Sequence, residues 1–116
     1  GVHVVEPQGY RATLALQLHA AAVLTASGGI QREAAWLGTP CLVLRDRTEW
    51  IEAVAGSGGS MVLVGIDRAR ARVELARVAP AGEGSARAAL RIAALDVRPA
   101  GAAAAISRVL AGEDPA

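Results

Sequence analysis

Lysine is absent from this sequence: all 12 basic residues are arginine. With the abundance of alanine, that reads as coding bias more than as function. Cysteine occurs once, at Cys41, which excludes an internal disulfide and fits a reducing, cytoplasmic setting. No apolar run approaches the roughly 20 residues that span a bilayer, and no signal peptide is visible. Excess charge of one sign is lacking too. A formal net charge of +1 gives no electrostatic case for nucleic acid or an anionic membrane. What is present is 116 residues, 53% hydrophobic and 20% charged, the composition of one soluble domain with a modest core. The chain opens on Gly1, not methionine, and enters a strand almost at once, so it reads as a piece of something longer.

Short apolar runs alternate with helix-period stretches. Val2 to Val5 reads as a strand, and Tyr10, Leu14, Leu18 and Ala21 then fall at helical spacing as one buried face. Ala22 to Thr25 is a second strand, followed by a helix over Ile30 to Leu37 that carries Ile30, Ala34 and Leu37 on one side and stops at Gly38 and Pro40. Cys41 to Leu44 lacks polar alternation, as a strand covered on both faces does. Thr48 is placed to cap a short helix with Glu49 and Glu52 in its first turn. Met61 to Val64 is the last strand. Helices are expected over about 67–79, 84–95 and 102–111, with turns at 80–84 and 98–101. Strand and helix in alternation predict an α/β fold, a Rossmann-like parallel sheet with right-handed crossovers and helices on both faces. Residues 1–66 would form the core and 67–116 the terminal helices.

In such sheets ligands bind beyond the carboxyl ends of the strands. There "TASGGIQREA", residues 25–34, places Gly28 and Gly29 between a strand and a helix. Unpaired amides at a helix start suit a phosphate, which glycines allow to come close, and the Ser27 hydroxyl can cap the helix or donate to a phosphate oxygen. A tight turn capped by Ser27, with no ligand, explains the same residues. Glu33, about one turn on, could accept two ribose hydrogen bonds or simply be a solvated charge. Arg45 and Asp46 lie in the right zone, yet a local ion pair accounts for them equally. Glu49 and Glu52 read first as helix-start charges. Cys41 reads as a small core residue. His3 and His19 have no metal-ligand spacing to each other or to Cys41, and the arginines from 68 to 91 read as a solvated face.

"EPQGY" at 6–10, "TASGGIQREA" at 25–34, "LGTPCLVLRDRTEWIE" at 37–52 and "LVG" at 63–65 resemble, in order and spacing, the non-hydrolysing UDP-N-acetylglucosamine 2-epimerases. The likeness runs from residue 1 to about 66 and returns thinly at "PAGAAAAISRVL", 99–110. It implies the later part of the second domain of a GT-B type fold, with the nucleotide sugar between two domains. By resemblance Ser27, Gly28 and Gly29 bind the diphosphate, Glu33 the ribose, and Gln8 the uracil end. Thr13 stands where the family often has an aromatic residue against the base. The usual aspartate before the serine is Ala26, the second glutamate of "QEEA" is Arg32, and Trp50 replaces the arginine of "TERPE". Arg45, Glu49 and Trp50 are the candidate sugar-side residues. The closing motif keeps Gly101 and Arg108, with Ala103 at its second glycine.

The resemblance implies interconversion of UDP-N-acetylglucosamine and its manno epimer by elimination and return of UDP. No metal or other cofactor is implied. The acid and base groups belong largely to the first domain and the domain junction, so no catalytic residue is identifiable in this chain. The implied partners are a UDP-sugar, the missing N-terminal domain and, compatibly, a second copy of the protein. The alternatives are an epimerase of a modified UDP-sugar of the diacetamido uronic acid type, which Trp50 suggests, and a nucleotide-binding fragment without turnover.

Overall fold

The computed structural model describes residues 1–79 and 101–112. Among these residues eight elements follow in order: α1 (Tyr10–His19), β1 (Val23–Thr25), α2 (Gly28–Leu37), β2 (Cys41–Val43), α3 (Ile51–Ala55), β3 (Met61–Leu63), α4 (Arg68–Val78) and α5 (Ala102–Leu110). The three strands form one parallel sheet in the order β1-β2-β3, with Val23 opposite Cys41 and Cys41 opposite Met61. The fold is α/β and Rossmann-like, as the alternation of elements predicts.

The central strand shows why its sequence carries no polar residue. Successive side chains point to opposite faces of a sheet. Cys41 and Val43 pack with Ala34 and Met61 beneath α2 and α3, while Leu42 packs with Val64 and Val78 beneath α4. All three β2 side chains are 0% exposed. Full burial of a side chain such as Leu42 contributes about 1.5–3 kcal/mol. Burial also pushes the Cys41 thiol up to about 11 by desolvation.

Both ends of α2 are written in its sequence. Ser27 Oγ accepts from the Ile30 amide at 3.3 Å. At the far end Gly38 is left-handed (φ 74°), with its own amide on the Ala35 carbonyl and the Thr39 amide on that of Ala34. That is a Schellman closure, which a glycine permits. Asp67 caps α4 by accepting from the Arg70 amide at 2.9 Å.

Three expectations need correction. Val2 to Val5 forms no strand; Val2 and Val4 are more than 90% exposed. No described strand lies beside it, and an extended segment without a ladder partner leaves its backbone groups to water. In α1 the buried residue is Gln17, while Tyr10 and Ala21 are exposed and Leu14 and Leu18 only half-buried. The cause is polar: bonds from Gln17 to α2 and to Thr39 hold that side of the helix inward. Thr48 does not cap α3, which starts after Trp50. The Thr48 hydroxyl accepts from the Trp50 amide and donates to the buried Gln31 Oε1 at 2.7 Å, so α2 claims it. Glu52 does lie in the first turn of α3; Glu49 precedes it. The helix expected at 84–95 and the turns at 80–84 and 98–100 lie outside the described residues.

Candidate nucleotide site at the start of α2

Thr25 ends β1 and α2 begins at Gly28, so the first turn of α2 stands at the carboxyl edge of the sheet. The glycines are therefore inside the helix, as its first two residues, and not ahead of it. Neither takes a positive φ. The turn from strand to helix thus makes no conformational demand for glycine at either position. Ser27 satisfies the Ile30 amide, while the Gly28 and Gly29 amides have no partner among the described residues. A Cβ at Gly29 would meet nothing nearer than Ser27 Oγ at 3.9 Å. A Cβ at Gly28 would overlap Glu49 Oε1. The arrangement offers two free donors at the positive end of a helix dipole, with the Glu49 carboxylate and Trp50 ring against Gly28 and open space at Gly29.

The segment after β2 closes over this turn. Trp50 Nε1 donates to the Gly28 carbonyl at 2.8 Å, and the Arg32 guanidinium lies 5.1 Å from the centroid of the Trp50 ring. Arg45 pairs with Glu49 at 3.1 Å, not with its neighbour Asp46. Both partners are about half exposed, so the pair contributes at most about 1 kcal/mol. The structure thus brings Ser27, Gly28, Gly29, Arg45, Glu49 and Trp50 into one neighbourhood.

Glu33 is half-buried, one and a half turns along α2, and its Oε2 accepts from Gln17 Nε2 at 2.6 Å. Among the described residues Gln8 and Thr13 bond only locally: Gln8 Nε2 donates to the Glu6 carbonyl, and Thr13 Oγ1 to that of Gly9. Among the described residues no hydrogen bond or ion pair joins either of them to Ser27, Gly28, Gly29 or Glu33. Two glutamines escaped the sequence reading. Gln17 and Gln31 are 5% and 0% exposed, and each reaches a neighbouring element. The available signal was a glutamine within an apolar helix face, where an unbonded amide is costly.

Several hollows lie among the described residues, and two of them sit at opposite ends of the sheet. One of about 530 Å³ opens at the amino ends of the strands, lined by Arg32, Trp36, Thr39, Glu52, Ser60 and Met61 among others. It lies away from the free amides. The other, about 420 Å³, is at the carboxyl edge and is lined by Arg45, Asp46, Gly65, Asp67 and Arg70. Among the described residues no three His, Cys, Asp or Glu side chains gather as a metal would need, and no helix is long and apolar enough to cross a membrane.

The family model described as UDP-N-acetylglucosamine 2-epimerase matches residues 1–111. The chain is 47% identical over 77 residues to the UDP-N-acetylglucosamine 2-epimerase of Escherichia coli K12, a match covering 66% of this chain and 20% of that protein. It is 46% identical over 67 residues to the UDP-2,3-diacetamido-2,3-dideoxy-D-glucuronate 2-epimerase of Pseudomonas aeruginosa, covering 58% and 18%. With the UDP-N-acetylglucosamine 2-epimerase of Neisseria meningitidis serogroup A the identity is 52% over 64 residues, 55% of this chain and 17% of that one. The matched segment thus spans about a fifth of the length of these relatives. No solved structure matches the chain.

Proposed function

The chain belongs to the UDP-N-acetylglucosamine 2-epimerase family, and from that membership we propose that it supplies the UDP-holding part of a nucleotide-sugar epimerase. The observation that carries the reading is the first turn of α2, where Gly28, packed against Glu49, and Gly29, which neither φ nor packing requires to be glycine, leave two amides unpartnered. A diphosphate accepts from those amides and from the Ser27 hydroxyl, its charge favoured by the helix dipole. Glu33 accepts from the ribose hydroxyls, and Gln8 and Thr13 serve the base end. Arg45, Glu49 and Trp50 stand on the sugar side.

The whole protein would interconvert UDP-N-acetylglucosamine and its manno epimer by eliminating UDP and re-adding it. This chain's share is to bind the leaving UDP, hold it close and return it. Proton transfer at the sugar falls to groups elsewhere in the parent, so the chain alone binds nucleotide without turnover. A second reading, an epimerase of a diacetamido uronate, is favoured by Trp50 in place of an arginine; the Pseudomonas enzyme shows that the family includes such epimerases. An indole offers one donor and an apolar face where arginine offers a charged fork, so the two would not treat a sugar alike.

Titration of the chain with UDP, UMP and ADP tests the reading. It predicts UDP binding in the micromolar-to-millimolar range, weaker UMP binding and a preference over ADP. Equal or negligible binding of all three removes it.

A further inference from the structure

The first helix buries a single side chain, and that side chain is polar. Gln17 is 5% exposed, on a helix whose aromatic residue, Tyr10, is 68% exposed. Burying a primary amide is unfavourable unless it is bonded, so the choice calls for a partner. The partner is Glu33: Gln17 Nε2 donates to Glu33 Oε2 at 2.6 Å, the short distance of a charge-assisted bond. The backbone at Gln17 is anchored, because its main-chain carbonyl accepts from the buried Thr39 hydroxyl at 2.9 Å; the side-chain Oε1 is buried with no partner among the described residues, so Glu33 alone bonds the amide. The chain of bonds runs from the closure of α2 at Thr39, through α1, back to the middle of α2.

We propose that Gln17 is the positioning residue for the Glu33 carboxylate, holding one oxygen so that the other stays aimed at a sugar diol. The inference rests on the reading of Glu33 as the ribose acceptor. A carboxylate has two oxygens with about four acceptor sites, and Gln17 engages only Oε2. Glu33 Oε1 has no hydrogen-bond partner among the described residues and is the free acceptor. A glutamate side chain otherwise gives up its torsional freedom on binding a ligand. Gln17 removes that freedom beforehand, which raises affinity without touching the ligand.

The test compares uridine with 2′,3′-dideoxyuridine, which lacks the diol, on the full chain. The ratio of the two affinities reads the diol bonds alone. Gln17→Met keeps the length and removes the donor; Gln17→Lys keeps a donor of similar reach. The expected result is a ribose preference in the parent that falls by about tenfold in Gln17→Met and survives in Gln17→Lys, with pyrophosphate binding unchanged in both. A merely structural glutamine would weaken all three probes together or none. A parent that binds UDP but shows no ribose preference removes the Glu33 reading and this inference with it. A parent preference that a folded Gln17→Met retains, or that Gln17→Lys loses, overturns this inference alone. Should Gln17→Met not fold, Gln17→Leu, which also removes the donor, takes its place with the same expected and contradicting results.

Discussion

Gly29→Ala separates what the fold wants from what a ligand wants. The residue is exposed, takes no positive φ, and a Cβ there meets nothing nearer than Ser27 Oγ at 3.9 Å. Glycine in a helix costs about 0.5–1 kcal/mol relative to alanine. The substitution should therefore stabilise the chain by up to about 1 kcal/mol, a rise in Tm of about 4–8 °C at the upper end. Side chains on a helix lean toward its N-terminus, so the new methyl projects at the mouth where the amides face outward. A phosphate held off by that methyl loses at least one charge-assisted bond, about 1.5–3 kcal/mol. UDP affinity should fall about 10- to 150-fold while uridine affinity stays the same. Thermal melts and calorimetric titrations with both ligands read the two effects separately. A variant that is more stable and binds UDP as the parent does would refute the phosphate argument. A variant that is less stable would show instead that the backbone needs this glycine.

Other substitutions probe the remaining parts. Glu33→Gln keeps the shape and removes the charge, so uridine and UDP should weaken by similar factors, a loss of about 1–3 kcal/mol in each titration. Trp50→Phe deletes the donor to the Gly28 carbonyl and keeps a ring under Arg32; it should cost about 1 kcal/mol in a denaturant melt. In the whole protein, Trp50→Arg should change the ratio of rates between UDP-N-acetylglucosamine and a uronate analogue, and an unchanged ratio at equal stability contradicts a sugar-side role. The Cys41 thiol, raised from 9.0 to about 11, stays protonated in the fold where the unfolded chain has already ionised. Its contribution is whole below pH 9 and is lost as pH rises toward 11, about 2–3 kcal/mol in all. Alkaline melts of Cys41→Ala should show a shallower decline over that window.

Much of the architecture was legible because the signals were local. The unbroken apolar run Cys41–Val43 announces a strand covered on both faces, and Ser27 and Gly38 announce the two ends of α2. What sequence could not show depends on partners distant along the chain. Val2–Val5 has strand composition, yet a strand exists only with a neighbour to pair with. The stripe Tyr10–Leu14–Leu18 is a fair helix face, but the rotation of α1 is set by Gln17 and its bonds to Glu33 and Thr39, residues 16 and 22 positions away. Thr48 has the chemistry of a cap and is drawn off by Gln31. The candidate site divides in the same way. Ser27 to Gly29 could be read directly, whereas the Trp50 bond to Gly28 and the Gln17 bond to Glu33 needed the fold.

The central claim is that a nucleotide diphosphate sits on the free amides of α2. It is tested most directly by amide ¹H–¹⁵N spectra of the full chain during titration with UDP and, separately, with uridine. Gly28 and Gly29 should move most with UDP and stay nearly still with uridine, while residues around Glu33 respond to both. Saturating UDP that leaves the Gly28 and Gly29 signals in place would contradict the account.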